Sequence, residues 1–194
     1  AIILAGEGLN GNNEKIRNRY SLKINNTTII EHAIKKLHDS GFNHIYIIAP
    51  RETLTNIFEI IGDGSNFNAK IEYVDEEVQE GSASALKLLR GKVKTTFLVV
   101  QCDLVLDYID LHELWNKHLQ ERAITTMLIC THVQTKNKIR YGHVVLKGSK
   151  IISYEEKPLP KNLKSSVFFA GVVVSEPEML TCPGKRLEIN AWPE

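Results

Sequence analysis

The sequence predicts an α/β fold. Apolar strand-like segments alternate with helical segments in the first half of the chain, and further strands follow one another in the second half. The chain has 194 residues, of which 43% are hydrophobic and 24% are charged. That length and apolar content suffice to bury the core of one domain. No repeat, linker or low-complexity segment divides the sequence, so we expect residues 1–194 to form a single domain with two lobes.

The charge and cysteine patterns favour a cytoplasmic protein. A formal net charge of +1, with both signs interspersed, gives no electrostatic reason to expect a nucleic acid or a membrane surface as partner. The cysteines, Cys102, Cys130 and Cys182, are odd in number and form no CxxC pair, which argues against a disulfide framework or a structural zinc site. The sequence has no apolar run of membrane-spanning length and no signal-peptide core.

The first strand and the loop after it have the pattern of an anion-binding turn. Apolar residues 1–4 can form a buried strand, and they run directly into Ala5, Gly6, Glu7 and Gly8. Small residues let the backbone approach a ligand closely, and successive N–H groups in such a turn form a concavity that binds anions. The alternative is an ordinary solvated turn, which two glycines alone do not exclude.

The chain then continues the alternation of helix and strand. Thr28 and Glu31 have the spacing of a capping box, apolar residues then recur at helical spacing, and Gly41 ends that helix. Further elements are predicted at 44–49, 71–74, 95–100 and 124–129 for strands and at 52–61, 81–91 and 108–120 for helices.

Asp103 follows the most apolar of these segments. Residues 95–100, TTFLVV, are typical of a central strand that is buried on both faces. Asp103 therefore comes at the carboxyl end of a central strand, where open α/β sheets bind their ligands. Its alternative role is to cap the helix that follows.

The second part of the chain is rich in strands. Segments 141–147, 151–155 and 167–174 have few helical residues between them, and Gly148 with Ser149 forms a hairpin turn between the first two. We expect these strands to form a second, β-rich lobe.

Six segments together carry a resemblance to a known family. They are LAGEG near the start, NRYSLKINNTTIIEHAIKKL, EGSASALKLL, FLVVQCDLVL, YGHVVLKGSKIISYEEKP and FFAGVVVSEPEML. In order and spacing they resemble the nucleotidyltransferases that make nucleoside-diphosphate sugars from a nucleoside triphosphate and a sugar 1-phosphate. The match runs nearly the whole chain, and the EEKP segment after a YG segment is its most telling part.

The resemblance implies a three-layer Rossmann-like nucleotidyltransferase fold with a mixed central sheet and a β-rich sugar-binding lobe. It also implies that the first loop wraps a triphosphate, that Asp103 binds Mg²⁺, and that the sugar phosphate attacks the α-phosphate in line while pyrophosphate leaves. Such transfers depend on charge neutralisation and alignment more than on acid–base catalysis. The expected partners are a nucleoside triphosphate and a sugar 1-phosphate, and a homo-oligomer formed through the β-rich lobe is left open.

The resemblance gives roles to individual residues. Those expected at the nucleotide are Ala5, Gly6, Glu7, Gly8, Glu76, Gln79, Gly81 and Ser82, and those expected at the sugar phosphate are Gly142, Glu156, Lys157 and Gly171. Lys157 would be the cation on the sugar phosphate, and Glu156 would accept hydrogen bonds from sugar hydroxyls. A surface Glu–Lys pair of little energetic weight is the alternative for these two. Asp103 and Arg19 are the expected catalytic residues.

The sequence departs from the family pattern in several places. The loop after Gly6 is shorter and lacks an expected arginine, and Arg19 stands where the family has a lysine, although the two cations are not interchangeable at a phosphate. Cys102 replaces the glycine that usually precedes the metal-binding aspartate. In having a Cys-Asp pair at this position, the chain is similar to the gamma and epsilon subunits of the eukaryotic translation initiation exchange factor. A catalytically silent regulatory or scaffold subunit is therefore the alternative to an enzyme. The chain stops at Glu194, which suggests a truncated or minimal version of the family domain.

Histidines on two predicted helices are not interpreted as a metal site. The pairs are His32 with His38 and His112 with His118, and neither pair has a third ligand nearby in the sequence. We expect all four side chains to be solvated.

Overall fold

The computed structural model describes residues 1–6, 19–78, 81–132, 141–157 and 166–181 of the chain. The strands in these ranges are β1 Ile2–Leu4, β2 Lys23–Ile24, β3 Thr27–Thr28, β4 His44–Ala49, β5 Lys70–Asp75, β6 Phe97–Gln101, β7 Thr125–Cys130, β8 His143–Lys147, β9 Lys150–Glu155 and β10 Phe168–Ser175. The helices are α1 Ile29–Asp39, α2 Arg51–Ile61, α3 Ser82–Lys87 and α4 Leu111–Glu121. Short 3-10 helices lie at Arg19–Ser21, Ser65–Phe67 and Pro177–Thr181.

Strands from both halves of the chain join one mixed sheet. Its order is β5-β4-β1-β6-β10-β8-β9, with β7 beside β10. Strands β5, β4, β1 and β6 pair in parallel, whereas β10 runs antiparallel to β6, β7 and β8. The chain passes from β1 outward to β4 and β5, and then returns to β6 on the other side of β1. The predicted α/β class with a mixed central sheet is confirmed.

Helices cover both faces of the sheet, which gives the predicted three layers. Successive residues of a strand face opposite sides, so Ile3 packs into the core cluster that holds the buried faces of α1, α2 and α4. Its neighbours Ile2 and Leu4 pack on the other face, together with Leu86 of α3 and Met179. Each face therefore has its own apolar core, and β1 contributes to both.

The predicted capping box and the hairpin turn are both present. The Glu31 N–H donates to Thr28 Oγ1 at 3.3 Å, and the Thr28 N–H donates to Glu31 Oε2 at 2.7 Å. These bonds satisfy two of the N–H groups that the start of α1 would otherwise leave without partners. Gly148 and Ser149 form the turn between β8 and β9.

The helix predicted at 81–91 is shorter than expected. It ends at Lys87, because the next three N–H groups, from Leu88 to Arg90, bond to carbonyls three residues back rather than four. That pattern tightens the chain into turns. In the described ranges, no helix is long and apolar enough to cross a membrane.

His118 is buried, so the expectation that it is solvated was wrong. It lies on the apolar face of α4 and is 1% exposed. Its Nδ1 lies 2.9 Å from Thr126 Oγ1, and its Nε2 lies 2.9 Å from Glu176 Oε1. Thr96 Oγ1 donates to the same glutamate oxygen at 2.8 Å. A buried ring with both nitrogens bonded ties α4 to the sheet.

We expect His118→Ala to lower the free energy of unfolding by about 2–4 kcal/mol, because it leaves a cavity and removes two buried hydrogen bonds. Urea unfolding measures this change. The matched control is His112→Ala on the exposed face of the same helix, which should change stability by less than about 0.5 kcal/mol. Equal losses in the two variants would contradict the packing role of His118.

Candidate active site

The carboxyl ends of the neighbouring parallel strands β1 and β6 lie side by side in the middle of the sheet. Open α/β sheets bind their ligands at the carboxyl ends of such strands, and we call the place between Leu4 and Asp103 the crevice. The Cys102 N–H donates to Leu4 O at 3.0 Å, and the Ala5 N–H donates to Ile48 O at 2.9 Å. Backbone pairing therefore continues to the mouth of the crevice. It fixes Gly6 on one side and Asp103 on the other.

Glu76 lies against Gly6 at the same edge of the sheet. It follows β5, its N–H donates to Ala49 O at 2.9 Å, and its side chain is 6% exposed. A Cβ added to Gly6 would lie 2.9 Å from Glu76 Oε2. This close approach places a buried carboxyl group beside Gly6, at the start of the first loop.

Arg19 and Asp103 form an ion pair at the crevice. Arg19 Nη1 lies 2.6 Å from Asp103 Oδ2, with the two side chains 50% and 26% exposed. Arg19 begins the short 3-10 helix whose Tyr20 is buried in the core, so the backbone that carries the guanidinium is anchored. The structure thus brings together the two residues expected to be catalytic.

The alternative role of Asp103 as a helix cap is wrong. The residue that caps α4 is Asp110, whose Oδ1 accepts the Glu113 N–H at 2.9 Å. Asp103 lies before this cap, in the turn that follows β6, and its carboxylate bonds to Arg19 instead.

Cys102 is a neutral thiol in this environment. Burial raises its pKa to about 12, and the charge of neighbouring Asp103 adds to that shift. A thiol with so high a pKa is a poor nucleophile near neutral pH.

The residues expected at the sugar phosphate lie in the β-rich part of the sheet. The Phe169 N–H donates to Gly142 O at 2.9 Å, which ties the start of β8 to β10. Lys157 Nζ lies 3.5 Å from Glu156 Oε1, just after β9. Lys157 has a φ of 43°, a left-handed conformation that turns the chain sharply there.

Gly171 connects this part of the sheet with the crevice. It lies in an irregularity of β10 between Phe169 and Val173 and has a φ of 81°. A Cβ added there would lie 2.7 Å from Leu104 Cδ1 and 3.3 Å from Gln101 Cγ. β10 therefore packs directly on the turn that carries Asp103.

Of the other residues expected at the nucleotide, some lie within the described ranges and some do not. Ala5 is buried, and Gly81, with a φ of 105°, precedes α3, whose first residue is Ser82. Glu7, Gly8 and Gln79 lie outside the described residues.

Sequence reasoning missed Tyr154. Its hydroxyl donates to Glu156 Oε2, and its ring lies over Gly142. The sequence offered no clear signal for these contacts, because Glu156 lies just after β9 and Gly142 lies just before β8. Strand alternation therefore does not predict either of them.

Comparison with known proteins identifies the family. The family described as Nucleotidyl transferase matches residues 16–188 of the chain. The chain belongs to the nucleotidyl transferase family. This confirms the resemblance found in the sequence segments.

Curated relatives of this nucleotidyl transferase chain include two proteins with different names. It is 28% identical over 152 residues to the Bifunctional protein GlmU of Methanococcus aeolicus, covering 78% of this chain and 33% of that protein. It is also 28% identical over 177 residues to the Mannose-1-phosphate guanyltransferase of Aspergillus oryzae, covering 87% of this chain and 45% of that protein. The chain thus spans between a third and a half of the length of these relatives.

Solved structures show the same fold. A putative glucose-1-phosphate thymidylyltransferase from Bacillus anthracis superimposes with a TM-score of 0.78 at 24% identity, covering 93% of this chain and 72% of that chain. A UDP-glucose pyrophosphorylase complexed with UDP-glucose superimposes with a TM-score of 0.73 at 16% identity, covering 97% of this chain and 82% of that chain. The predicted nucleotidyltransferase fold is confirmed.

We expect Gly171→Ala to destabilise the chain more than Gly148→Ala. Both glycines have positive φ, 81° and 64°, but nothing lies within 4 Å of a Cβ at Gly148. The control, Gly148→Ala, should therefore lower the free energy of unfolding by about 1 kcal/mol, because a residue with a Cβ is strained at positive φ. Gly171→Ala also displaces Leu104, which should lower it by roughly 1 kcal/mol more. Denaturant unfolding of both variants measures the difference. Equal losses would mean that the contact with Leu104 carries no weight.

Proposed function

We propose that this chain transfers a nucleoside monophosphate from a nucleoside triphosphate to a sugar 1-phosphate and releases pyrophosphate. The observation that carries the proposal is the Arg19–Asp103 ion pair at the crevice between β1 and β6. A transfer between two phosphates needs cationic and metal groups that neutralise charge and hold the reactants in line. Family membership and the named activities of the relatives support the same reaction.

The position of Glu76 suggests how the nucleotide lies. A buried carboxylate repels phosphate oxygens, so the triphosphate would lie toward Arg19 and the crevice rather than against Glu76. A carboxylate accepts hydrogen bonds only. The Glu76 side of Gly6 therefore suits the base and ribose, which carry N–H and O–H donors.

The donor set fits Mg²⁺ that arrives with the triphosphate. In the described part of the chain, no three His, Cys, Asp or Glu side chains come together as a ready cation site. Mg²⁺ commonly binds proteins through one or two carboxylates and takes its other ligands from phosphates and water. Asp103, which is partly exposed and already pairs with a cation, would be that carboxylate. When bound, the cation would neutralise charge on the phosphates.

The sugar phosphate would bind at Glu156 and Lys157. Lys157 provides an ammonium for the phosphate, and Glu156 provides acceptors for sugar hydroxyls. Gly171 packs β10 on the turn after β6, so this part of the sheet is physically continuous with the crevice. Such continuity allows the two substrates to be held against each other.

A panel of nucleoside triphosphates and sugar 1-phosphates, with Mg²⁺, tests the activity. We expect one pair to give pyrophosphate release and expect Asp103→Asn to reduce that rate at least about a hundredfold, since it removes the metal-binding carboxylate. Asp107→Asn is the matched control, because it changes an exposed aspartate of the same loop. Melting temperatures verify that both variants fold.

Two outcomes would contradict parts of this proposal. Unchanged turnover in Asp103→Asn would remove Asp103 from the site. Silence of the folded protein across the whole panel would reject the activity and favour the catalytically silent subunit that the Cys102–Asp103 pair suggests.

The Arg19–Asp103 pair predicts opposite effects on two ligands. Arg19→Gln should raise the affinity of the nucleotide-free chain for Mn²⁺ about two- to fivefold, because Asp103 no longer pairs with a cation that competes with Mn²⁺. An exposed ion pair of this kind contributes about 0.4–1 kcal/mol. It should lower the affinity for the Mn²⁺ complex of tripolyphosphate, because the phosphates lose a cation. Electron paramagnetic resonance of free Mn²⁺ measures both.

Arg51→Gln is the control for this prediction. Its guanidinium pairs with Asp75 at 2.7 Å on the surface, at the end of β5, which β4 and β1 separate from β6. Neither affinity should change. Parallel losses of both affinities in Arg19→Gln would indicate general damage, and no change in either would show that Arg19 does not compete for Asp103.

A further inference from the structure

Gly142, Tyr154 and Glu156 form a contact that none of the expected site roles explains. The phenol ring of Tyr154 lies directly over Gly142. A Cβ added to Gly142 would lie 2.7 Å from Tyr154 Cε2 and would overlap Cζ and the hydroxyl oxygen. Gly142 is also buried, and it is fixed from the other side by the Phe169 N–H, which donates to its carbonyl at 2.9 Å. Only a glycine leaves room for the ring.

Strand register holds the Tyr154 ring in this place. Val144 is paired with Tyr154, and His143 with Glu155, in the antiparallel ladder of β8 and β9. The residue before His143 therefore comes close to the Tyr154 side chain. Glu156 follows directly after β9, and the hydroxyl of Tyr154 reaches its carboxylate.

Both oxygens of the Glu156 carboxylate have a partner in this cluster. Tyr154 donates its hydroxyl hydrogen to Oε2, and Lys157 Nζ lies 3.5 Å from Oε1. A glutamate side chain on a strand end would otherwise sample many rotamers. Here a rigid aromatic ring with two χ angles holds one oxygen, and an adjacent cation lies beside the other.

We propose that Tyr154 is a positioning residue of the sugar-phosphate site, which orients Glu156 before the sugar arrives. This inference deepens the proposed function and rests on it. A carboxylate oxygen has two lone pairs, so Glu156 can accept hydroxyl hydrogens from a sugar while it keeps Tyr154. Prior orientation lowers the entropy lost when the sugar binds. The ligand that fits is a phosphorylated compound with hydroxyl donors close to its phosphate.

The test removes one oxygen atom. Tyr154→Phe keeps the ring over Gly142, so the fold should survive while the hydrogen bond to Glu156 is lost. We expect the KM for the sugar 1-phosphate to rise about three- to tenfold, with the KM for the nucleoside triphosphate and the melting temperature unchanged. Tyr108→Phe, at a side chain that is 97% exposed, is the matched control and should change neither KM.

A double variant separates an effect through Glu156 from a general one. In a Glu156→Ala background the hydroxyl of Tyr154 has no carboxylate to orient, so Tyr154→Phe should add no further rise in KM. An equal rise in both backgrounds would overturn the proposal. A rise in both substrates' KM values, or a fall in melting temperature in Tyr154→Phe alone, would indicate a merely structural role and would also overturn it.

Direct binding keeps this inference distinct from the activity itself. Calorimetry with glucose 1-phosphate as the probe measures binding with no turnover, so it applies even if no substrate pair releases pyrophosphate. Weaker binding to Tyr154→Phe than to the unchanged chain supports the positioning role. The same affinity in both, or no binding to either, overturns it, whereas failure of the pyrophosphate assay alone rejects only the reaction.

Discussion

The pairing of β1 with two parallel neighbours is the constraint on which the rest of the structure depends. Ile3 is in register with Ile47 of β4 on one side and with Val100 of β6 on the other. Burial of β1 between them drives this arrangement, because its apolar side chains reach both cores of the sheet. Because both neighbours run parallel to β1, the carboxyl ends of β1 and β6 come together at the edge of the sheet where Asp103 lies.

Two carboxyl groups lie at the crevice in different environments. Glu76 is buried beside Gly6, whereas Asp103 is partly exposed and pairs with Arg19. An ion pair of partly exposed groups is weak and exchangeable, so its two members can be redistributed between a cation and a phosphate. Glu76 is held in place by its buried surroundings instead.

The β-rich part of the chain extends the same sheet, and β10 makes the connection. It pairs antiparallel with β6 and carries Gly171 against Leu104, and at its start it contacts β8. The position of Glu156 thus depends on a continuous series of backbone contacts from β6. Solved relatives with 24% and 16% identity keep this fold, which shows that the sheet tolerates wide change in side chains.

The sequence by itself determined the fold class, the family, the capped helix after Thr28 and the position of Asp103 just after a central strand. These follow from local patterns: apolar periodicity, the spacing of Thr28 and Glu31, and the order of short segments. It did not determine that Arg19 pairs with Asp103, that His118 is buried, or that Tyr154 covers Gly142. Those contacts join residues far apart in the chain or on neighbouring strands. Only the register of the sheet and the packing of helices on it could decide them.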